Sequence, residues 1–321
     1  MEILLDNKNG RVWDVSQITA DATWASKRIG TASSFEFTLI KGGIYQDPSF
    51  AINNGDVIRV KDGEWNIFYG YVFEISESRD ESVKVKCYDQ IRYLMSNDTY
   101  VFKGIKASDV VRRIADDFKL KTGTIQDTGY VIPVMIEDNK KLLDIVWKAL
   151  DLTLIHAGQN FIFYDDFGKL MVRRLSELKV STAIGDGSLM TDYEYSRSID
   201  SDTYTKIKIV QNNKKSGKRD VYIAQNSANA ARWGQLQLYQ VADEKQNAAQ
   251  INQLLSQLAQ LKNRETRSLS LTALGAPGIR AGSYIPVVIE GLALSQYFCV
   301  DECSHSFEGA VHTMKLKLVV I

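Results

Sequence analysis

The chain has 321 residues, 45% of them apolar and 24% charged, and its 39 basic and 39 acidic residues give a formal net charge of zero. A chain of this length forms two or three domains and buries enough surface to fold without a disulfide or a metal. The balanced charge argues against a dedicated nucleic-acid-binding protein, and three cysteines do not make a disulfide framework. The N-terminus lacks the pattern of a signal peptide and no apolar run approaches the roughly 20 residues of a membrane span, so we expect folding in the cytoplasm.

The first hundred residues are predicted to form a small β-barrel. Residues 35–40 alternate apolar and polar side chains, as a strand with one solvated face does. Asp62-Gly63 is typical of a tight hairpin turn, and the sequence Asn-Asn-Gly-Asp at residues 53–56 marks a further turn. Several short strands at this spacing indicate a barrel or a sandwich. We therefore place a first β-barrel domain at residues 1–100.

Residues 101–187 predict an α+β domain, because the apolar period changes to that of helices. Ser108 is a predicted N-cap for a helix with the apolar face Val110, Val111, Ile114, Ala115 and Phe118. A second helix is predicted over residues 140–156, and residues 161–164 and 169–172 predict a hairpin. The hairpin turn holds Asp166-Phe167-Gly168, which matches a kinase metal-binding triplet in letters only, since the kinase catalytic loop and phosphate loop are missing.

The remaining residues predict a second β-barrel that is interrupted by a helix. Predicted strands at residues 193–195, 206–210 and 220–224 precede a long helix at 243–264, and four further strands fill 266–320. The second barrel domain is therefore predicted at 188–225 and 265–321, with 226–264 as an inserted helical segment. The helix carries a short apolar stripe, which favours docking on its own barrel over a coiled coil; the stripe is Ala248, Ile251, Leu255, Leu258 and Leu261.

The chain contains the same strand unit twice, near its two ends. Each copy is a glycine turn, an apolar strand, a strand running into Glu and Ser, and a strand with lysines on one face. The copies lie at residues 55–60, 68–76 and 83–87, and at 282–287, 297–304 and 314–318. The predicted fold class is therefore mainly β, with two similar small barrels, an α+β domain and a long inserted helix.

Two histidines near the C-terminus are the candidates for a metal site. If Glu308-Gly309 is a two-residue turn, His305 and His312 lie directly opposite each other, and Cys303 shares the face of His305. Cys299 lies four strand residues from Cys303, about 13 Å away, too far to bind the same ion unless the strand bulges. We interpret the histidines as a cross-strand pair.

No catalytic, cofactor-binding or metal-ligating residue is predicted. The sequence Ile184-Gly185-Asp186-Gly187 is interpreted as a turn, because it lacks the further glycine of a dinucleotide site. Asp116 and Asp117 are interpreted as a solvated helix face. The basic stretch at residues 214–219 is interpreted as a hairpin tip, because no aromatic residues are interleaved with it.

The order of elements resembles that of the XkdQ-like family of phage tail proteins, within the wider group of contractile-tail baseplate hub proteins. The resemblance lies mainly in the C-terminal strands: Gly282 before residues 284–287, then Phe298-x-Val300, residues 304–307 and residues 312–318. The strands at 56–58 and 70–72, and the segment Trp233-Gly234-Gln235-Leu236-Gln237 before the long helix, are also similar.

This resemblance implies a structural, non-enzymatic protein without a cofactor. It implies a homotrimer whose two barrels alternate around a ring, so that a nearly six-fold surface meets the hexameric tail tube and the other side carries the trimeric central spike. The implied partners also include a tape measure protein and a baseplate wedge, with neither a membrane nor sequence-specific nucleic acid. The particle that the resemblance implies is a contractile phage tail or a tail-like bacteriocin, assembled in the host cytoplasm.

Two other functions are weighed against this one. A carbohydrate-binding tail module is the first alternative, with Trp24, Trp65, Tyr69 and Tyr71 as candidate sugar-contacting residues. A cell-wall hydrolase is the second alternative, but the paired carboxylates of a glycosidase have no recognisable pattern in the sequence.

Overall fold

The computed structural model describes residues 1–43, 47–79, 81–213, 217–244 and 246–320. The first β-module contains β1 (Glu2–Asp6), β2 (Val12–Asp14), β3 (Thr19–Lys27), β4 (Ser34–Ile40), β5 (Val57–Asp62), β6 (Trp65–Glu77) and β7 (Ser82–Tyr88). The α+β module contains β8 (Asn97–Lys106), α1 (Ala107–Asp117), β9 (Thr122–Ile125), β10 (Val131–Lys141), α2 (Leu142–Ala157), β11 (Phe161–Asp165) and β12 (Leu170–Arg174).

The rest of the chain forms two further modules. The second β-module begins with β13 (Ile184–Gly185) and β14 (Met190–Ser198). A sheet–helix module follows, with β15 (Lys206–Asn213), β16 (Lys218–Gln225), α3 (Ser227–Trp233), β17 (Gln237–Val241) and α4 (Ala248–Lys262). The chain then completes the second β-module with β18 (Thr266–Leu274), β19 (Tyr284–Ile289), β20 (Leu294–Glu308) and β21 (Val311–Val319). The mainly β prediction is confirmed.

The two β-modules have the same strand connections, which confirms the internal duplication. Hydrogen-bonded neighbours follow the path β3-β4-β7-β6-β5-β1 in the first and β14-β18-β21-β20-β19-β13 in the second. Each module surrounds its own apolar core, with Phe35 and Ile58 buried in the first and Phe298 and Ile285 in the second. The modules differ at one end of the path, because β1 pairs antiparallel with β5 whereas β13 pairs parallel with β19.

The sheet–helix module corrects the prediction that residues 206–225 belong to the second barrel. β15 and β16 instead form a separate three-stranded sheet with β17. Ile207 and Ile209 of β15 are fully buried against α4, whose buried residues are Ile251, Leu254, Leu255 and Leu258. The predicted docking of this helix on its own barrel is therefore wrong: α4 covers the small sheet and also contacts α2.

Helix starts differ from the predictions for local reasons. The long helix begins at Ala248 rather than at 243, because Asn247 forms a capping box with Gln250. Ser108 is not the N-cap of α1: the helix begins at Ala107 with Lys106 in the N-cap position, and Ser108 is buried in its first turn. The apolar face of α1 is confirmed, since Val110, Val111, Ile114 and Ala115 are buried. Among the described residues, no helix combines the length and apolar character needed to cross a membrane.

Candidate functional site at the junction of the two β-modules

A single strand, β20, joins the two β-modules into one sheet. Its first residues pair with β19, and residues 302–308 pair on one side with β21 and on the other with β3. The pairing with β3 is antiparallel over seven residue pairs, from Glu302 opposite Lys27 to Glu308 opposite Asp21. The resulting sheet has 13 strands and runs through both modules. Backbone hydrogen bonds therefore fix the orientation of one module relative to the other.

Ion pairs flank this strand pairing at one end. The Arg28 guanidinium donates to Asp301 Oδ1 at 2.9 and 2.8 Å, and the Arg28 backbone N–H donates to the Asp301 carbonyl at 2.8 Å. Lys27 lies 3.0 Å from Glu302, and its hydrogen bond lowers the pKa of the Glu302 carboxyl. Asp301 is accessible to Arg28 because β20 bulges between Val300 and Glu302.

The two histidines lie inside this junction, but in a different register from the predicted one. The turn is Gly309-Ala310, so His312 is opposite Phe307 and His305 is opposite Met314. The predicted pairing of His305 directly opposite His312 is therefore wrong, because the turn lies one residue further along the chain than predicted. The rings still meet diagonally, with His305 Nδ1 2.9 Å from His312 Nε2.

The His305 ring is a neutral, hydrogen-bonded part of the core. Its Nε2 lies 2.8 Å from the Ile279 carbonyl oxygen, which only a protonated Nε2 can satisfy, so Nδ1 accepts from His312. Trp24 of β3 stacks on the ring with centroids 5.0 Å apart. Burial lowers the pKa of His305 to about 4, and burial also lowers the pKa of His312. Cys303 Sγ lies 3.1 Å from His305 Nε2, and among the described residues no three His, Cys, Asp or Glu side chains are grouped as a metal site.

Arg280 connects the second β-module to the α+β module. Its guanidinium carbon lies 3.4 Å from the centre of the Tyr164 ring, which is a close cation–π contact. Arg280 Nη1 also donates to the Asp165 carbonyl at 2.9 Å. The next residue, Ala281, donates its backbone N–H to Ser26 Oγ of β3 at 3.0 Å. Arg280 and Ala281 thus connect three modules within two residues.

Two carboxyl groups lie beneath this contact in a partly desolvated position. Asp165 accepts from Gln90 Nε2 at 2.8 Å, and buried Asp89 accepts from the Ser33 backbone N–H at 3.1 Å. Burial raises the pKa of Asp165 to about 6, against the lowering effect of hydrogen bonds from Gly168 and Gln90. Burial, followed by the Asp165 charge, raises the pKa of Asp89 well above its usual range. Burial in the folded state therefore favours the protonated, neutral form of both carboxyl groups.

A cavity of about 180 Å³ lies where the three modules meet. Its lining includes three candidate sugar-contacting residues, Trp24, Trp65 and Tyr69. Trp24 is only 6% exposed because it stacks on His305, whereas Trp65 is 55% exposed. Tyr69 and Tyr71 pack edge-on with centroids 6.2 Å apart. The structure thus brings part of the aromatic set together, but uses Trp24 as core.

The predicted turn Asp166-Phe167-Gly168 is confirmed and also makes a contact between modules. The backbone N–H of Asp166 bonds to the Lys169 carbonyl at 2.8 Å, and Phe167 and Gly168 have positive φ. The Phe167 ring packs against Tyr69 with centroids 5.7 Å apart. The predicted turn at residues 184–187 is only partly correct: Ile184 and Gly185 form β13, and the turn follows from Asp186, with the Ser188 backbone N–H donating to the Gly185 carbonyl. Asp117 is exposed on α1, as predicted, and pairs with Arg113. Residues 214–216 of the basic stretch lie outside the described residues.

Arg28, Asp301 and Arg280 were missed by sequence reasoning. Arg28 and Asp301 are 273 positions apart; Arg28 directly follows β3, Asp301 lies at the bulge within β20, and neither belongs to a recognisable motif. Only the duplication pointed to this region, because it indicated two modules that have to be joined.

Comparison with known proteins gives a family and a fold. Residues 22–319 match the model of the family described as YQBQ-like. The protein YqbQ of Bacillus subtilis (strain 168) is 30% identical over 273 residues, which cover 84% of this chain and 82% of YqbQ. The phage-like element PBSX protein XkdQ of the same organism is 30% identical over 274 residues, which cover 84% of this chain and 83% of XkdQ. The 43 kDa tail protein of prophage MuSo2 from Shewanella oneidensis has a TM-score of 0.73 at 16% identity, over 99% of this chain and 98% of that one.

The substitution Gly275→Ala tests the histidine contact. A Cβ at Gly275 would lie 2.1 Å from the His312 ring, so the ring has to shift and its 2.9 Å contact with His305 is disturbed. We expect the free energy of unfolding to fall by about 1–3 kcal/mol in urea denaturation. Gly291→Ala is the matched control, since among the described residues only Tyr193 Oη, at 4.0 Å, lies near its Cβ and its φ is not in the left-handed region. Equal losses in the two variants would contradict the packing described for His312.

The substitution Asp165→Asn tests the desolvated carboxyl. Because the folded-state pKa of Asp165 is raised to about 6 from its ordinary value of 3.8, its ionisation removes stability as pH rises through this window. The stability of Asp165→Asn relative to the parent chain should therefore increase between pH 4 and pH 6. The expected increase is on the order of 1–3 kcal/mol, measured by urea denaturation at each pH. A difference that stays constant from pH 4 to pH 7 would show that Asp165 is not desolvated.

Proposed function

The chain belongs to the YQBQ-like family, and from this membership and its two equivalent β-modules we propose that it is the structural hub of a tail baseplate. Three copies form a ring that adapts a hexameric tail tube to a trimeric central spike. The particle is a contractile phage tail or a tail-like bacteriocin. The names of two relatives support a tail role, since one is a phage-like element protein and the other a prophage tail protein.

The observation that carries the proposal is the strand-for-strand equivalence of the two modules. A chain with two equivalent modules, repeated three times about an axis, presents six similar surfaces. Such a ring can bind a six-fold partner on one side through the modules, and a three-fold partner on the other through features that occur once per chain. Ring closure by heterologous contacts also covers the exposed strand edges of each copy.

We propose a structural role rather than an enzymatic one. Cys87, Cys299 and Cys303 are buried, and burial raises the pKa of each thiol, which makes a thiolate nucleophile unfavourable. His305 uses both ring nitrogens for hydrogen bonds within the core. The proposed partners are a second and third copy, the tube and spike proteins, a tape measure protein and a baseplate wedge. The proposed location is the baseplate of the assembled particle, after assembly in the host cytoplasm.

The absolute mass of the purified chain tests the ring. Light scattering over a range of concentrations should give three times the chain mass of 36.2 kDa for the chain alone, or, after addition of purified tube and spike proteins, a complex that contains three copies of the chain. Averaged electron micrographs of the trimer should show six similar lobes around one axis, because each chain supplies two equivalent modules.

A chain that stays monomeric with both partners present would contradict the hub proposal. Binding of that monomer to surface glycans on an array would favour the carbohydrate-binding alternative instead. A dimer would also contradict the proposal, because two chains cannot match a three-fold spike.

A further inference from the structure

We propose that β6 of one copy pairs antiparallel with β14 of the next copy. This contact repeats, between chains, the pairing that β20 makes with β3 within each chain. The inference rests on the proposed ring and adds to it the two strands that meet, their register and the side chains in contact. The proposed contact follows from the pseudo-symmetry of the two modules, in which β6 is equivalent to β20 and β14 to β3.

β6 and β20 are equivalent down to a shared irregularity. β6 shifts register against β7 between Val72 and Glu74, and β20 shifts against β21 between Val300 and Glu302. After the shift Glu74 is opposite Lys86, just as Glu302 is opposite Lys317. Residues 74–77 of β6 therefore correspond to residues 302–305 of β20. The latter are the residues through which β20 binds β3.

β14 and β3 are equivalent in the same way. β3 shifts register against β4 between Thr19 and Asp21, and β14 shifts against β18 between Met190 and Asp192. After the shift Trp24 is opposite Phe35, and Tyr195 is opposite Leu269. Residues 192–198 of β14 therefore correspond to residues 21–27 of β3, which bind β20.

Both strands offer an edge for this pairing. Among the described residues, β14 ends the path of the 13-stranded sheet, with β18 on one side and no strand on the other. Within the same described part of the chain, residues 74–77 of β6 pair with β7 alone, because β5 pairs with β6 only as far as Tyr71. Exposed edges with unpaired backbone groups are templates for strand addition.

Carrying the register across gives definite pairs between chains. The intrachain pairs Cys303–Ser26, Ser304–Ala25 and His305–Trp24 correspond to Ile75–Arg197, Ser76–Ser196 and Glu77–Tyr195. Ile75 and Tyr195 are each partly buried against the core of their own module. The new contact therefore extends both cores across the chain boundary. Arg197 lies diagonally opposite Glu77 on the same face, an arrangement in which opposite charges attract.

The proposed β6–β14 contact differs from the β20–β3 contact at the position of the Arg28–Asp301 ion pair. The equivalents of Arg28 and Asp301 are Ile199 and Phe73. Phe73 is partly exposed and packs against Tyr88 and Tyr93. The contact between chains thus replaces a charged pair by an apolar one, which suits a surface that is first solvated and then buried on assembly.

A disulfide trap tests the register. Ser76→Cys and Ser196→Cys are introduced into one chain; both serines are exposed, and the three native cysteines are buried. Mild oxidation of the trimer should convert most of it to a covalent trimer on a non-reducing gel, because each chain carries both halves of the bond. The control pair Ser76→Cys with Glu194→Cys is displaced by two residues, which places the Cα atoms beyond about 7 Å, so it should give little of this product.

A charge reversal gives an independent readout without cysteine chemistry. Arg197→Glu should weaken the trimer about fivefold per interface by repulsion from Glu77, and adding Glu77→Arg should restore its affinity. Glu77 also pairs with Lys41 within the chain, so Glu77→Arg alone is the control for that lost contact. Light scattering measures the dissociation in each case.

The outcomes separate this inference from the hub proposal. A trimer by mass that is neither trapped at Ser76–Ser196 nor sensitive to Arg197→Glu would overturn the strand pairing and leave the ring in place. Preferential trapping of the displaced pair would also overturn the register. A chain that is monomeric with tube and spike present, and gives no covalent trimer, would overturn both.

Discussion

The structure depends on the pairing of β20 with β3. One strand serves two modules, and it can do so because it is 15 residues long and changes its partners along its length. The bulge at Asp301 lies where β20 changes its pairing partner, and it leaves Asp301 outside the ladder of paired residues, where it binds Arg28. Apart from that pairing, the described residues join the two β-modules through loop contacts, such as Ala281 with Ser26, and through the α+β module. With the β20–β3 pairing, their relative orientation is set by backbone hydrogen bonds, which are more directional than side-chain packing.

The junction is held mainly by neutral contacts around a few charges. His305 is uncharged and uses its nitrogens within the core, and the exposed Lys27–Glu302 ion pair at the edge of the junction contributes little free energy. Arg280 is the exception, since it places a cation on Tyr164 while its neighbour Ala281 bonds to Ser26. Because the loop with Arg280 and Ala281 contacts all three modules, a displacement of any one module changes the shape of the cavity between them. This arrangement favours a rigid unit over three independent domains.

Much of the local structure was predictable from the sequence, and the long-range pairing was not. The alternation at residues 35–40 and the α1 stripe reflect periods that the sequence displays directly, and the hairpin turn predicted at residues 61–64 forms with Gly63 and Glu64 at its centre. β15 and β16 also have the strand period, but period alone does not say which sheet a strand joins, and the buried stripe of α4 decided it. The histidine register failed by one turn residue, because Gly309 rather than Glu308 begins the two-residue turn. The Arg28–Asp301 pair had no signal, since its partners meet only through the β3–β20 register.

The duplication has preserved register more strictly than residue type. Both bulges recur at equivalent positions in the two modules, although Asp301 corresponds to Phe73 and Arg28 to Ile199. Backbone geometry is what a repeated docking surface requires, so selection on such a surface would retain the bulges while side chains diverge. Divergence also serves specificity: β3 places Arg28 where β20 offers Asp301, whereas in the proposed contact between copies β14 would place Ile199 where β6 offers Phe73. Exchanging the partners would leave a charge opposite an apolar group in both contacts, so each edge disfavours the wrong strand by the cost of an unpaired, desolvated charge.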